Sequence, residues 1–284
     1  MSRIYDELQR VEALRSQPEL RWNPEERPFR VIAVTSNKGG VGKTTLATNL
    51  AIYLRATRED LPVLLFSLDD QDMVNRMFAL EEEPAKETVA SAFRAGSFTS
   101  AIRTGQYGVD YIPSSSDVVG LKREIEHPFA LRRVLKNTDW RGLIIIDTKS
   151  DLEILTQNAI AASDLAAVVI KDQSSLLEAH KVYELLKQWN LPRDRARILL
   201  SLLDLRVKYE GGDYHDILGL LLAAIRRCGY PQFATFMSRS PKIESLYTNP
   251  KGGSFSVLHE AQGSLVHRQL SHLAQEVLDL VKLE

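Results

Sequence analysis

The residues with the clearest chemical potential lie in one short run, Lys38-Gly39-Gly40-Val41-Gly42-Lys43-Thr44-Thr45. Glycines let a backbone curl so that successive N–H groups face one point. A lysine followed by a hydroxyl adds a cation and a metal-facing oxygen. That is chemistry for a nucleotide phosphate chain. Lys43 is expected to reach the β- and γ-phosphates, Thr44 to ligate Mg²⁺ and Thr45 to support the α-phosphate. A glycine-rich turn with an incidental Lys-Thr pair is the bland alternative, and the flanking sequence argues against it. An apolar run over 30–36 precedes the glycines, and Leu46, Leu50 and Leu54 with Ala47 and Ala51 form one helical stripe over 43–54. A metal-holding acid is expected at the end of a second apolar strand, and Leu143-Ile144-Ile145-Ile146-Asp147 supplies Asp147 in that place. Taken alone, an aspartate closing a buried strand is as often a turn or cap.

Elements that must position these residues are legible in the hydrophobic pattern. From Arg30 onward, short apolar runs alternate with longer helical patterns, with strands expected over 30–36, 63–68, 109–113, 142–147, 165–171, 197–203 and 232–237. The expected fold is α/β: a three-layer P-loop NTPase fold with a mostly parallel twisted sheet and helices on both faces. Residues 1–29 read as a separate leader, an amphipathic helix carrying Ile4, Leu8, Val11 and Leu14, followed by a linker interrupted by Pro18, Pro24 and Pro28. Residues 30–284 then form the catalytic unit. A final helix over 264–283 places Val266, Leu270, Leu273, Val277 and Leu280 on one stripe, and it reads as a cover for the sheet. Its few fixed positive charges argue against a membrane anchor.

The chain has 284 residues, 44% of them hydrophobic, enough to bury a sizeable core. Its formal charge of −1 excludes nucleic-acid binding by bulk charge. The single cysteine, Cys228, excludes an intrachain disulfide and a cysteine metal cage. A charged amino terminus and the absence of any long apolar run point to a cytoplasmic location, with integral membrane association not expected. The six histidines lack metal-ligand spacing, and the Gly211-Gly212 and Gly252-Gly253 pairs lack a following Lys-Ser/Thr, so none is promoted to a site.

The run from Lys38 to Thr45 resembles the deviant Walker A motif of the ParA/MinD ATPases, in which the additional lysine, here Lys38, sets the family apart. The resemblance extends over most of residues 30–284. Ser67-Leu68-Asp69-Asp70-Gln71 is similar to the family's DxDPQ segment, and the stretch from Ile145 through Ala159 is similar to its Walker B and switch region. The resemblance implies that Lys38 crosses an ATP-sandwiched homodimer to the partner's nucleotide, that Asp69 helps position the attacking water, and that Asp147 holds the Mg²⁺ shell. Catalytic roles accordingly fall on Lys38, Lys43 and Asp69, and nucleotide contacts on residues 38–45. Two departures stand out. Ser67 replaces the first aspartate of DxD, and Thr148-Lys149 replaces a Pro-Pro pair, so slow hydrolysis is expected.

Family members with a partitioning role bind DNA non-specifically through basic residues of the carboxy-terminal half. Here Arg206, Lys208, Arg226, Arg227, Arg239, Lys242 and Lys251 stand against Glu210, Asp213, Asp216 and Glu244, an excess that a solvated mixed-charge surface explains almost as well. The segment 230–242 resembles the family's base-contacting region. The leading expectation is thus a nucleoid-associated positioning or partitioning ATPase, timed by hydrolysis and stimulated by an adaptor acting through residues 1–29. Three alternatives stay open: a polysaccharide-linked tyrosine-autokinase-like protein, suggested by Glu12-Ala13-Leu14-Arg15; a MinD-like membrane-cycling regulator; and a weakly hydrolysing nucleotide-dependent scaffold.

Overall fold

The structure is a computed structural model that describes residues 22–71, 73–80, 86–208, 216–246 and 256–283. The expected leader helix, Gly211-Gly212, Lys251 and Gly252-Gly253 lie outside the described residues. Seven strands form one sheet: β1 Phe29–Thr35, β2 Val63–Ser67, β3 Arg103–Thr104, β4 Asp110–Tyr111, β5 Gly142–Asp147, β6 Leu165–Ile170 and β7 Ala196–Leu200. Their spatial order is β3-β4-β2-β5-β1-β6-β7, parallel throughout except for the antiparallel β3–β4 pair at one edge.

Strands buried on both faces read as continuous apolar runs, because each successive side chain enters a different core. In β1, Val31 and Ala33 face one cluster and Ile32 and Val34 the other; Ile144 and Ile146 of β5 alternate with Leu143 and Ile145 in the same way. One face is covered by α1 Lys43–Thr57 and α11 Leu265–Val281, whose Leu46, Leu50 and Leu54 meet Val266, Leu270, Leu273 and Val277. The other face is covered by α3 Val89–Ala95, α4 Val118–Glu124, α5 Ala130–Lys136, α6 Ile154–Ala162, α7 Gln173–Gln188 and α8 Ile217–Cys228. Shorter helices α2 Met73–Phe78, α9 Pro241–Leu246 and α10 Val257–Glu260 complete the described elements. The closing helix therefore packs on the sheet as its stripe requires, with Ser264 capping it by accepting from the His267 N–H. No helix of the described residues is long and apolar enough to cross a membrane.

Two differences from the sequence reading have physical causes. The run 232–237 does not form a regular strand: it touches β7 through a bridge at Ile198–Gln232, with the Phe233 N–H donating to the Ile198 carbonyl at 2.9 Å and the Met237 N–H to the Leu200 carbonyl at 2.8 Å. The segment before Phe29 also joins the fold. Trp22 is buried, its indole N–H donates to the Ala162 carbonyl at 2.7 Å, and the Arg27 guanidinium lies 4.0 Å over its ring. Arg27 also pairs with the largely buried Asp164 carboxylate at 2.5 Å, so this segment docks at the amino end of β1, the end opposite the glycine loop.

Candidate phosphate and metal site

β1 delivers the glycine loop to the carboxyl end of the central strands, and α1 begins immediately after it. Gly40 and Gly42 adopt φ values of 66° and 88°, the left-handed region that a side chain resists, which is why glycine recurs at these points. Gly42 is the N-cap of α1 and offers no side-chain oxygen, so it leaves the first N–H groups of the helix without a side-chain cap. Lys43 is buried at the mouth of this cradle. Its ammonium donates to Ser150 Oγ at 2.5 Å, and burial pushes its pKa below the ordinary lysine value, opposed by Asp147, Asp69 and Asp151.

Sheet register brings the acids to the same place. Asp147, the last residue of β5, lies level with Ser67 on β2 and Val34 on β1. The Thr44 hydroxyl donates to Asp147 Oδ2 at 2.9 Å and the Ser67 hydroxyl donates to the same oxygen at 3.0 Å. Asp147 is 1% exposed, and its second oxygen, Oδ1, has no hydrogen-bond partner. Burial raises its pKa to about 6, against the two hydroxyls and Lys43, which favour the anion. A buried carboxylate oxygen left unmatched is costly unless a cation or donor meets it. The donor set suits Mg²⁺, which takes one or two protein oxygens and completes its octahedron with phosphate and water. Among the described residues no cluster of three metal-ligating side chains occurs, so nothing here resembles a site for a metal held by protein alone.

Asp69 follows β2 and is half-buried. Its N–H donates to Ser67 Oγ at 3.1 Å, while the Asp70 N–H donates to Asp69 Oδ1 at 2.8 Å. Burial and the adjoining Asp70 carboxyl lift the Asp69 pKa above the usual carboxylate range. Lys38 folds back on its own chain: its ammonium lies 3.4 Å from both Asp172 oxygens, and Asp172 caps α7. Beside Thr45 opens a largely apolar cavity of about 260 Å³, walled by Gly42, Met237, Ile243, Val257 and Leu270. It lies next to the phosphate cradle and is bordered by the expected base-contacting segment.

The candidate DNA residues are dispersed by comparison. Arg206 is bidentate to Asp204 at 2.7 and 2.8 Å, Lys208 lies 3.6 Å from Asp216, and Arg239 pairs with Glu244 at 2.9 Å. Arg226 and Arg227 are exposed in the last turn of α8, and Lys242 is exposed on α9. Sequence reasoning gave no role to Ser150 or to Lys171, whose ammonium donates to the Gly40 carbonyl at 3.1 Å, and did not pair Lys149 with Asp70, which lie 3.2 Å apart. For Lys149 and Ser150 the available signal was their position just after Asp147.

Comparison with known proteins places the fold. A family model described as an AAA domain matches residues 29–200, well over half of the chain. The chain belongs to this AAA domain family. It is similar to the chromosome partitioning protein ParA of Caulobacter vibrioides, with 31% identity over 160 residues, covering 53% of this chain and 59% of that protein. The match thus spans less than two thirds of the relative's length. Two solved structures share the fold. One is a plasmid partition protein from Borrelia burgdorferi bound to AMPPNP (TM-score 0.65, 20% identity, covering 88% of this chain and 98% of that one). The other is cobyrinic acid a,c-diamide synthase from Mycobacterium smegmatis with ADP and magnesium (TM-score 0.68, 21% identity, covering 89% and 96%). This AAA-family chain therefore carries the expected mostly parallel sheet with its glycine loop at the carboxyl ends of the strands.

Proposed function

We propose that this protein is a Mg-ATP-dependent ParA-like ATPase that partitions or positions a DNA or protein cargo. The observation that carries the reading is the convergence of Thr44 and Asp147, with one buried carboxylate oxygen unpartnered beside the glycine cradle. In this reading the backbone of residues 39–45 surrounds the phosphates, Lys43 leaves Ser150 for the terminal phosphates, and Thr44 and Asp147 hold Mg²⁺. When bound, the metal neutralises charge on the phosphate oxygens. The apolar cavity beside Thr45 takes the base. Asp69 orients the attacking water, and catalysis rests on placement and charge more than on a strong base.

The ATP state is a homodimer in which Lys38 exchanges Asp172 for the partner's nucleotide, and hydrolysis is the release step. Ser67 supplies a hydroxyl in place of a carboxylate, which supports slow turnover. Residues 30–284 constitute the ATPase unit, and residues 1–29 are a leader, anchored on that unit through Trp22 and Arg27, that receives a stimulating partner. DNA contact falls to Arg206, Lys208, Arg226, Arg227, Arg239 and Lys242, with the protein cytoplasmic and nucleoid-associated. The ion pairs at Arg206, Lys208 and Arg239 make this surface a weak one.

The test is the oligomeric state of wild type and Lys38→Ala with ADP, ATP and a slowly hydrolysed analogue, followed by DNA retention of the same samples at low salt. An ATP-dependent dimer that requires Lys38 and retains DNA is the expected result. A monomer under all conditions, or a dimer that never holds DNA, contradicts the positioning role.

A further inference from the structure

The acids of the site lie where β2 exits toward Asp69 and where β5 ends at Asp147. The sheet holds each exit for one residue beyond its strand, through the Leu68 N–H to the Asp147 carbonyl at 2.9 Å and the Thr148 hydroxyl to the Val34 carbonyl. A closed ring of contacts joins them. Asp147 Oδ2 accepts from Ser67 Oγ at 3.0 Å, Ser67 Oγ accepts from the Asp69 N–H at 3.1 Å, and Asp69 Oδ1 accepts from the Asp70 N–H at 2.8 Å. The Lys149 ammonium then donates to Asp70 Oδ2 at 3.2 Å, and the backbone from residue 149 leads back to Asp147 through Thr148, whose hydroxyl donates to the Val34 carbonyl at 3.0 Å.

We infer that Lys149 and Asp70 act as a pair of positioning residues, a brace that sets Asp69 relative to Asp147 for the hydrolytic step. The inference rests on the ATPase reading above. Three observations carry it. The Lys149–Asp70 contact is the one side-chain link of the ring that spans the two exit loops themselves; the Ser67–Asp147 link joins the strand ends behind it. Both partners are about one-third exposed, and an ion pair so solvated adds little to folding, so stability alone does not explain its placement over the site. Asp70, whose carboxylate receives the lysine, also supplies the backbone N–H that meets the Asp69 carboxylate, so movement of residue 70 moves Asp69 directly. Neither residue is a catalytic residue: each acts through the orientation of Asp69. Small misplacements of a positioned group reduce chemical steps far more than they reduce binding.

The experiment compares full-length wild type with Lys149→Met, Asp70→Asn, the double variant and Lys149→Arg. Steady-state ATPase and ADP affinity are measured on the same samples. Each charge-removing single variant is expected to lower kcat about tenfold with KM and ADP affinity within about twofold. The double variant should be no worse than either single one, because members of a pair are not additive. Lys149→Arg should retain kcat within about threefold. Hydrogen exchange on nucleotide-free protein supplies a readout that needs no turnover. The peptide containing residues 68–71 should exchange faster in both single variants and at the wild-type rate in Lys149→Arg. Multiplicative losses in the double variant, an effect carried by KM, or unchanged exchange would overturn the brace. Wild type that binds nucleotide but never hydrolyses it would instead overturn the ATPase reading, leaving the exchange result to decide the brace.

Discussion

The carboxyl end of the central strands and the carboxy-terminal surface both entered as candidate binding regions on the strength of charged residues, and they differ in how those charges are held. At the strand ends, Lys43 and Asp147 are nearly inaccessible, and their partners are fixed by sheet register and by the start of a helix. On the carboxy-terminal surface, Arg206, Lys208 and Arg239 sit in solvent with an acid beside each. Buried charges are expensive, so their presence demands a ligand or a compensating partner; solvated charges demand nothing. In the proposed reading the first region is the ligand site because its buried charges include an unpartnered carboxylate oxygen, whereas the second is one only if its residual positive field suffices.

The largest break in this contrast should come from Lys43→Ala. Removing a buried, phosphate-directed ammonium is expected to weaken ATP binding by about a hundredfold to a thousandfold, on the order of 3–4 kcal/mol, with the fold intact. Fluorescent-nucleotide titration with a circular-dichroism control measures it, and a loss below tenfold would place the lysine outside the site.

Asp147→Asn sharpens the comparison from the stability side. The folded pKa of Asp147, raised to about 6 by burial, exceeds the unfolded value, so the folded state binds this proton more tightly. The ionised group therefore costs stability once pH passes the unfolded value near 4, and the full cost is present above the folded value. In metal-free buffer the asparagine variant should be more stable than wild type by about 2–3 kcal/mol near pH 8. The advantage should vanish as pH falls below about 4. Denaturant melts across pH decide the point, and an asparagine variant less stable at pH 8 would contradict it.

The smallest effects belong to the exposed surface. Arg206→Ala and Arg239→Ala should each change folding stability by less than about 0.5 kcal/mol. Because each must give up an acid to meet a phosphate, their loss should reduce low-salt DNA retention less than the loss of Arg227 or Lys242. Retention measured over a salt series reports this as the slope, with a decrease of about one for each phosphate contact removed. A larger effect at Arg206 than at Lys242 would reverse the ranking.

The same contrast explains what was legible. The glycine loop, Asp147 and the central strands were readable because local backbone rules and two-face burial force a characteristic sequence: strands of five to seven residues built on a continuous apolar run, with glycine or an acid at or soon after their carboxyl ends. Run 232–237 has strand composition, yet it meets β7 through one isolated bridge and a few backbone hydrogen bonds, a matter of tertiary register. Strand β3, two residues long, has no pattern long enough to detect. Trp22 and Arg27 were assigned to a linker because prolines surround them; a tryptophan and a phenylalanine flanking an arginine was the available signal for docking. Ser67 was visible as a departure from an expected acid, but its role in donating to Asp147 required the register. The Lys149–Asp70 pair, 79 residues apart in sequence, was visible only as two separate charges.

The most direct test of the site is equilibrium binding of a slowly hydrolysed ATP analogue to wild type, Thr44→Val and Asp147→Asn, each with Mg²⁺ and with EDTA. Wild type should bind at least about tenfold more tightly with Mg²⁺. Both variants should lose most of that difference while retaining the weaker metal-free affinity. Equal affinity of wild type with and without Mg²⁺, or an undiminished Mg²⁺ effect in both variants, would contradict a metal site built from Thr44 and the unpartnered Asp147 oxygen.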